Sequence, residues 1–268
     1  MNVKARFLFL GTGGSMGVPL IGCSCPVCLS PSPFNKRLRS SALCTVGDKC
    51  FLIDCGPDFR SQALTHHIDR LDGVLFTHAH NDHTAGMEDL RIFNWRTDKA
   101  LPCLLSIETA DDIKRRYYYI FEPEGDEIYR KMLARFDLEY LVGDRGTLNF
   151  QGMPVGYFTY AQGGMRVNGF KLGNLAYVSD IRDYDESIFE ELRGVDILVM
   201  SALRYSASHM HFSVDEAVAF SKKVGASHTW LMHVAHELDH DEANAYLPEN
   251  IRMAYDGLEL NFDINMSK

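Results

Sequence analysis

Gly73-Val74-Leu75-Phe76-Thr77-His78-Ala79-His80-Asn81-Asp82-His83 is an apolar run that ends in three histidines and an aspartate. A buried strand over Gly73–Thr77 would deliver the polar residues rigidly to one place, where His78, His80, Asp82 and His83 can share a pocket. Imidazole suits zinc, iron, nickel and copper, and a carboxylate adds a hard ligand that also suits manganese. A surface loop with incidental histidines would not follow so continuous an apolar run.

Outward from this stretch, short apolar runs alternate with turns and helical patterns. Arg6–Leu10 reads as a strand. Ala42–Val46 and Cys50–Asp54 read as a hairpin turned at Gly47-Asp48. Strands are expected at Pro102–Ser106, Leu138–Val142, Thr147–Phe150, Pro154–Tyr160, Gly169–Leu172, Leu175–Ser179, Asp196–Met200, Thr229–Met232 and Leu258–Phe262. Helices are expected at Asp58–His66, Thr109–Phe121, Tyr184–Leu192 and Ser213–Lys223, the last with Ser213 as its N-cap. Strands with helices at intervals, without a linker or repeat, predict one domain over residues 1–268 in which two sheets carry helices outside them.

The chain has 268 residues, 46% hydrophobic and 24% charged, and a net charge of −9. That balance provides a sizeable core and argues against an extended nucleic-acid surface, which needs clustered Lys and Arg. No stretch approaches the ~20 apolar residues of a membrane span. Met1–Arg6 does not resemble a secretory signal, so the cytoplasm is the expected location. Gly11-Thr12-Gly13-Gly14 after the first strand imitates a nucleotide loop, but Pro19 and a cysteine cluster follow where a helix would be required. A turn beside the metals is the better reading.

The seven cysteines are an odd number, and three crowd into Cys23-Ser24-Cys25-Pro26-Val27-Cys28. In a reducing compartment such spacing reads as a metal site before a disulfide. His236 is the best fourth ligand. It follows His233 by three residues, so the two imidazoles can serve different centres. A closed Cys₃His set predicts a structural zinc that pins a loop at about residues 11–40.

The pattern at 78–83 resembles the HxHxDH signature of the metallo-β-lactamase superfamily. Leu52-Ile53-Asp54-Cys55-Gly56, Tyr177-Val178-Ser179-Asp180 and Leu231-Met232-His233 resemble its other strand-end motifs. Gly11–Ser15, Gly17-Val18-Pro19, the cysteine cluster and His233–Asp239 together resemble the phosphoribosyl 1,2-cyclic phosphate phosphodiesterase-like family. The resemblance implies an αββα sandwich of two mixed sheets flanked by helices, and a two-metal hydrolase of small or cyclic phosphodiesters. It implies that His78 and His80 bind one metal, that Asp82, His83 and His233 bind the other, and that Asp180 bridges them. Asp54 would orient the loop from behind. His211, with Asp82 and Asp180, would form the catalytic set, His211 facing the substrate; His209 is the alternative. Zinc or manganese would fill the centre, and a homodimer is a further expectation.

The sequence departs from this family at one place. The resemblance calls for another histidine between the HxHxDH loop and Asp180, yet none occurs from Thr84 to Ser208. Gln162 is the natural stand-in, since its amide oxygen can ligate a hard cation. Three outcomes follow: Gln162 or water completes the first site, only the second site fills reliably, or the centre is catalytically dead; the last would leave a chain that binds a nucleotide or phosphosugar without turning it over. Thioester, lactone and β-lactam hydrolysis, tRNA 3′-end processing and a pyrroloquinoline quinone-related role occur on the same fold, so fold alone does not select the substrate.

Overall fold

A computed structural model describes residues 2–266. Among the described residues fourteen strands form two sheets of seven. The first sheet uses β1 (Asn2–Gly11), β2 (Ser41–Val46), β3 (Lys49–Ile53), β4 (Gly73–Leu75), β5 (Leu101–Leu105) and β6 (Phe136–Tyr140). The second uses β7 (Arg145–Phe150), β8 (Met153–Gln162), β9 (Met165–Leu172), β10 (Leu175–Val178), β11 (Ile197–Ser201), β12 (His228–Met232) and β13 (Ile251–Met253). The chain then returns, and β14 (Glu259–Asn265) pairs antiparallel with β1 to complete the first sheet.

Both sheets are mixed. β1, β2 and β3 are antiparallel neighbours, whereas β3 to β6 run parallel. β7 to β10 are antiparallel, and β10 to β13 run parallel. Alternation along β1 explains the layering. Phe7 and Phe9 point between the sheets, where they join Phe51, Phe150, Phe170, Tyr177 and Phe262. Leu8 and Leu10 point outward to a helical layer with Phe59, Phe93 and Ile113. The second sheet covers its outer face with Phe212, Phe220 and Leu192. Each fully buried side chain of this size contributes about 1.5–3 kcal/mol. The result is the expected αββα sandwich, and its parallel strands deliver their C-terminal ends to one edge, the usual place for a site in such sheets.

Several elements differ from expectation. The helix expected over Thr109–Phe121 begins earlier, at Ile107, because Ser106 caps it by accepting from Thr109 N–H; it breaks at Tyr117 and resumes as Tyr118–Phe121. The helix expected over Tyr184–Leu192 shrinks to Ile188–Glu191. Asp183 is held in a bridge to Ala161, and Tyr184 turns its ring edge-on to Phe189, Phe212 and Phe220. Helices Glu127–Met132 and His240–Tyr246 and strand β13 were not foreseen. Among the described residues no helix is long and apolar enough to cross a membrane.

Candidate metal centre

β4 ends at Leu75, and the next residues carry the cluster. Phe76 N–H still bonds to Leu104 O. The chain then leaves the sheet at Thr77, and a short helix over Asn81–Thr84 presents Asp82 and His83. Asp54, Asp180 and His233 lie one or two residues beyond the ends of β3, β10 and β12. All three adopt left-handed backbone, with φ of 58°, 54° and 57°. That conformation costs a non-glycine residue roughly 1–2 kcal/mol. Here it swings each side chain out of the strand direction and into the common edge.

Three overlapping groups of donors meet there, one of them Asp180, His211 and His233. The donor atoms of His78, His80 and Asp180 lie within 4.8 Å of one another, as do those of Asp82, His83 and His233. Asp180 stands between the groups. Its Oδ2 is 3.6 Å from His78 Nε2 and 3.7 Å from His83 Nε2, and its Oδ1 is 3.2 Å from His233 Nε2. Asp82 Oδ2 is 3.4 Å from His83 Nε2 and 3.3 Å from His233 Nε2.

Asp54 sets the tautomers. Its Oδ1 accepts Thr77 N–H at 2.8 Å, and its Oδ2 accepts both Thr77 Oγ1–H at 2.8 Å and His83 Nδ1–H at 2.7 Å. Thr77 Oγ1 has then spent its proton, so it accepts from His78 Nδ1–H at 2.9 Å. Both imidazoles are left with a lone pair at Nε2, aimed into the cluster. Carboxylates behind histidines fix ligand geometry in this way.

These residues fit divalent cations. His83 Nε2 is buried without a hydrogen-bond partner. Its lone pair faces the oxygens of Asp82 and Asp180, and acceptors facing acceptors need positive charge between them. The protonation tendencies agree. Burial alone would raise Asp82, yet His83 and His233 hold its carboxyl well below the usual range. Burial alone would lower His83, yet Asp54, Asp82 and Asp180 push it well above the usual imidazole value. The cluster draws a proton when nothing else supplies charge.

Gln162, the last residue of β8, is buried beside Asp180, its Nε2 donating to Asp180 Oδ2 at 3.1 Å. His211 stands next to it, 3.0 Å from Gln162 Nε2 through its own Nε2, with its ring stacked on His233 at 5.0 Å. Burial pushes the His211 imidazole down to about 4. His209 is exposed and belongs to none of the donor groups. The cleft over these residues holds about 360 Å³ and is walled by Ser15, Asn81 and Met210. The glycine loop does lie beside the cluster, since a side chain on Gly14 would meet His233 at 3.4 Å.

Sequence reasoning missed one brace. Lys114-Arg115-Arg116 reads as a solvated helix face, but Arg116 turns inward. Its guanidinium donates to Ala79 O and to Thr84 Oγ1, both at 2.8 Å, and so holds the backbone between His78 and His80. A charge run at a helix end gives no sign of this. Ser15, Asn81 and Met210 were also unmarked, because wall residues carry no spacing pattern.

The cysteine cluster forms a second site. Cys23, Cys25 and Cys28 place their Sγ atoms 3.4, 3.4 and 3.7 Å from His236 Nδ1. Zinc–sulfur and zinc–nitrogen bonds of tetrahedral zinc give an S···N edge of about 3.5 Å, which these match. The loop between the two sites is stitched to the glycine loop by Gly14 N–H to Val234 O and Val234 N–H to Thr12 O. The other four cysteines are free; Cys44, Cys55 and Cys103 are buried, and Cys50 is half-buried.

Comparison with known proteins agrees with this geometry. A family model described as a beta-lactamase superfamily domain matches residues 49–234. An octanoyltransferase of Porphyromonas gingivalis is 34% identical over 264 residues, 96% of this chain and 52% of that protein, so the chain spans about half the length of that relative. The crystal structure of a diphosphatase from the PhnP family superposes with a TM-score of 0.90 at 33% identity, covering 98% of this chain and 99% of that one. Zn²⁺-bound PqqB from Methylobacterium extorquens superposes with a TM-score of 0.73 at 16% identity, over 95% of this chain and 99% of its own, and shares the fold.

Proposed function

Because this chain belongs to the β-lactamase superfamily, and within it to the PhnP family, we propose that it is a metal-dependent hydrolase of a small or cyclic phosphodiester. One observation carries the reading: Asp180 stands between two groups of imidazole and carboxylate donors, with His211 beside it at the floor of an open cleft. His78, His80 and Asp180 would hold one cation, with Gln162 against the same carboxylate; Asp82, His83, His233 and Asp180 would hold the other. Two such cations acidify water and neutralise charge on phosphoryl oxygens, which is what phosphodiester cleavage needs.

The chain's own residues do the rest. Thr77 and Asp54 keep the Nε2 atoms of His78 and His83 unprotonated. His211 is neutral at pH 7 and offers an N–H to a phosphoryl oxygen from a position fixed by Gln162. Negative charge growing on the phosphoryl oxygens beside it would raise its basicity, so that it takes a proton from solvent and hands it to the leaving oxygen. The cleft beside Ser15, Asn81 and Met210, of about 360 Å³, has room for a small substrate. The Cys₃His cluster would hold a structural zinc.

The test is turnover of bis-p-nitrophenyl phosphate by metal-stripped protein reloaded with zinc or manganese. Activity that appears on reloading and disappears in His80→Ala supports the proposal. Absence of turnover with either metal, alongside tight binding of a nucleotide, would make the chain a binding protein. A second reading rests on the likeness to an octanoyltransferase: an acyl ester or thioester as the bond cleaved. That name belongs to a protein of about twice this length, so the same preparation should be offered an octanoyl thioester. Faster cleavage of the thioester than of the phosphodiester would favour the second reading.

A further inference from the structure

The two halves of the centre are unequal in their donors. The Asp82–His83–His233 half has two imidazoles and a carboxylate of its own before Asp180 is shared. The other half has only His78 and His80 of its own, and the Gln162 amide donates to Asp180 Oδ2, the carboxylate oxygen that lies 3.6 Å from His78 Nε2. Gln162 is 1% exposed. Its nitrogen takes the carboxylate Oδ2 at 3.1 Å and His211 at 3.0 Å, while its Oε1 is buried with no hydrogen-bond partner. A buried amide oxygen without a partner costs about 1–3 kcal/mol, and a folded interior rarely tolerates it without a reason.

The two ends of an amide are alike in size, and a half-turn exchanges them. In the reversed orientation the oxygen would stand where the nitrogen now does, 3.1 Å from Asp180 Oδ2. Two oxygens at that separation repel unless a cation binds both. It is also the edge expected of an octahedral site with metal–oxygen bonds of about 2.1 Å. The same oxygen would accept an N–H from His211. The amide therefore has two roles at one position: NH₂ toward the carboxylate without a cation, and oxygen toward the cation when one is present.

We propose that Gln162 makes the His78–His80 half of the centre a seat for a hard, manganese-class divalent cation, one that loads and leaves independently of a zinc held by Asp82, His83 and His233. Amide oxygen and carboxylate suit manganese, whereas zinc gains more from imidazole and thiolate. This rests on the metal-centre reading above and adds to it that the two cations differ in kind.

The experiment uses the full chain, stripped of metal and reloaded with zinc and manganese together, with ions counted per chain by elemental analysis and manganese followed by its electron paramagnetic resonance. Wild type should keep two zincs, one of them on the cysteines, and take up one exchangeable manganese. Gln162→His should keep three zincs, with its affinity for the third raised about tenfold or more, and should lose the manganese signal. Gln162→Ala, which adds no bulk, should weaken manganese by a similar factor while the zinc count stays at two. The proposal is overturned if wild type holds three zincs and excludes manganese, or if neither substitution changes the zinc-to-manganese ratio. Failure of the underlying centre looks different: His80→Ala and His233→Ala would each bind the same ions as wild type.

Discussion

Asp54→Asn is the most informative single change, because it alters charge and proton count without altering shape. The carboxylate has no solvent exposure and receives three hydrogen bonds, Thr77 N–H on one oxygen and Thr77 Oγ1–H with His83 Nδ1–H on the other. An asparagine offers one accepting oxygen. If its NH₂ faces Thr77 N–H, a buried peptide donor is left without a partner, at about 1–3 kcal/mol. If its NH₂ faces His83, that imidazole must accept at Nδ1 and carry its proton on Nε2, where it blocks the lone pair aimed at Asp82 and Asp180. Either route should weaken zinc at the Asp82–His83–His233 half by about 10- to 100-fold, or about 1.4–2.8 kcal/mol. The assay is zinc competition against a chromogenic chelator at pH 7.5, with circular dichroism to show that the variant is folded. A zinc dissociation constant within about twofold of wild type would refute the claim that Asp54 sets the tautomers.

Three further outcomes follow from the same geometry. His211→Ala should lower kcat on bis-p-nitrophenyl phosphate by about 10²- to 10⁴-fold with the ion count unchanged; a loss of bound metal instead would make His211 a ligand. Cys28→Ser should release one zinc per chain to a chelating dye and lower the melting temperature, and an unchanged ion count would remove the structural site. Asp256 accepts from Leu38 N–H and Thr12 Oγ1–H, both at 2.7 Å, yet burial pushes it up to about 6. Its folded value lies above that of a free carboxyl, so the native state gains a proton first and this group adds stability as the pH falls from 7 through 6, and removes it as the pH rises. The urea midpoint of wild type relative to Asp256→Asn should therefore rise between pH 7 and pH 5, and a constant difference would contradict the burial argument.

The candidate ligands and the residues that orient them were legible because they stand at the ends of apolar runs. Thr77, Asp54, Asp180 and His233 all follow strands whose hydrophobic pattern is plain, and a strand end is a fixed address. His236 could be paired with the cysteines because His233 already had a place three residues earlier. What the sequence hid depends on contacts between distant segments. Arg116 finds Ala79 O only because the helix Ile107–Arg116 packs beside the loop. Tyr184 leaves its expected helix for an aromatic cluster whose members are 5 to 36 positions away in the chain. The helix His240–Tyr246 is only seven residues long, too short for periodicity to speak, and is carried by Asp239 accepting from Asp241 and Glu242 N–H.

The left-handed turns at residues 54, 180 and 233 bear on how such a chain would age. At each of these positions glycine would relieve the backbone, but at residue 54 it would strand the buried donors of Thr77 and His83, so folding gives a reason to keep that aspartate and much less to keep Asp180 and His233. A lineage released from its chemistry should drift toward glycine or asparagine at residues 180 and 233 while Asp54 and the sandwich stay. Retired descendants would then be recognisable from two letters of sequence, with no change in the shape of the molecule to betray them.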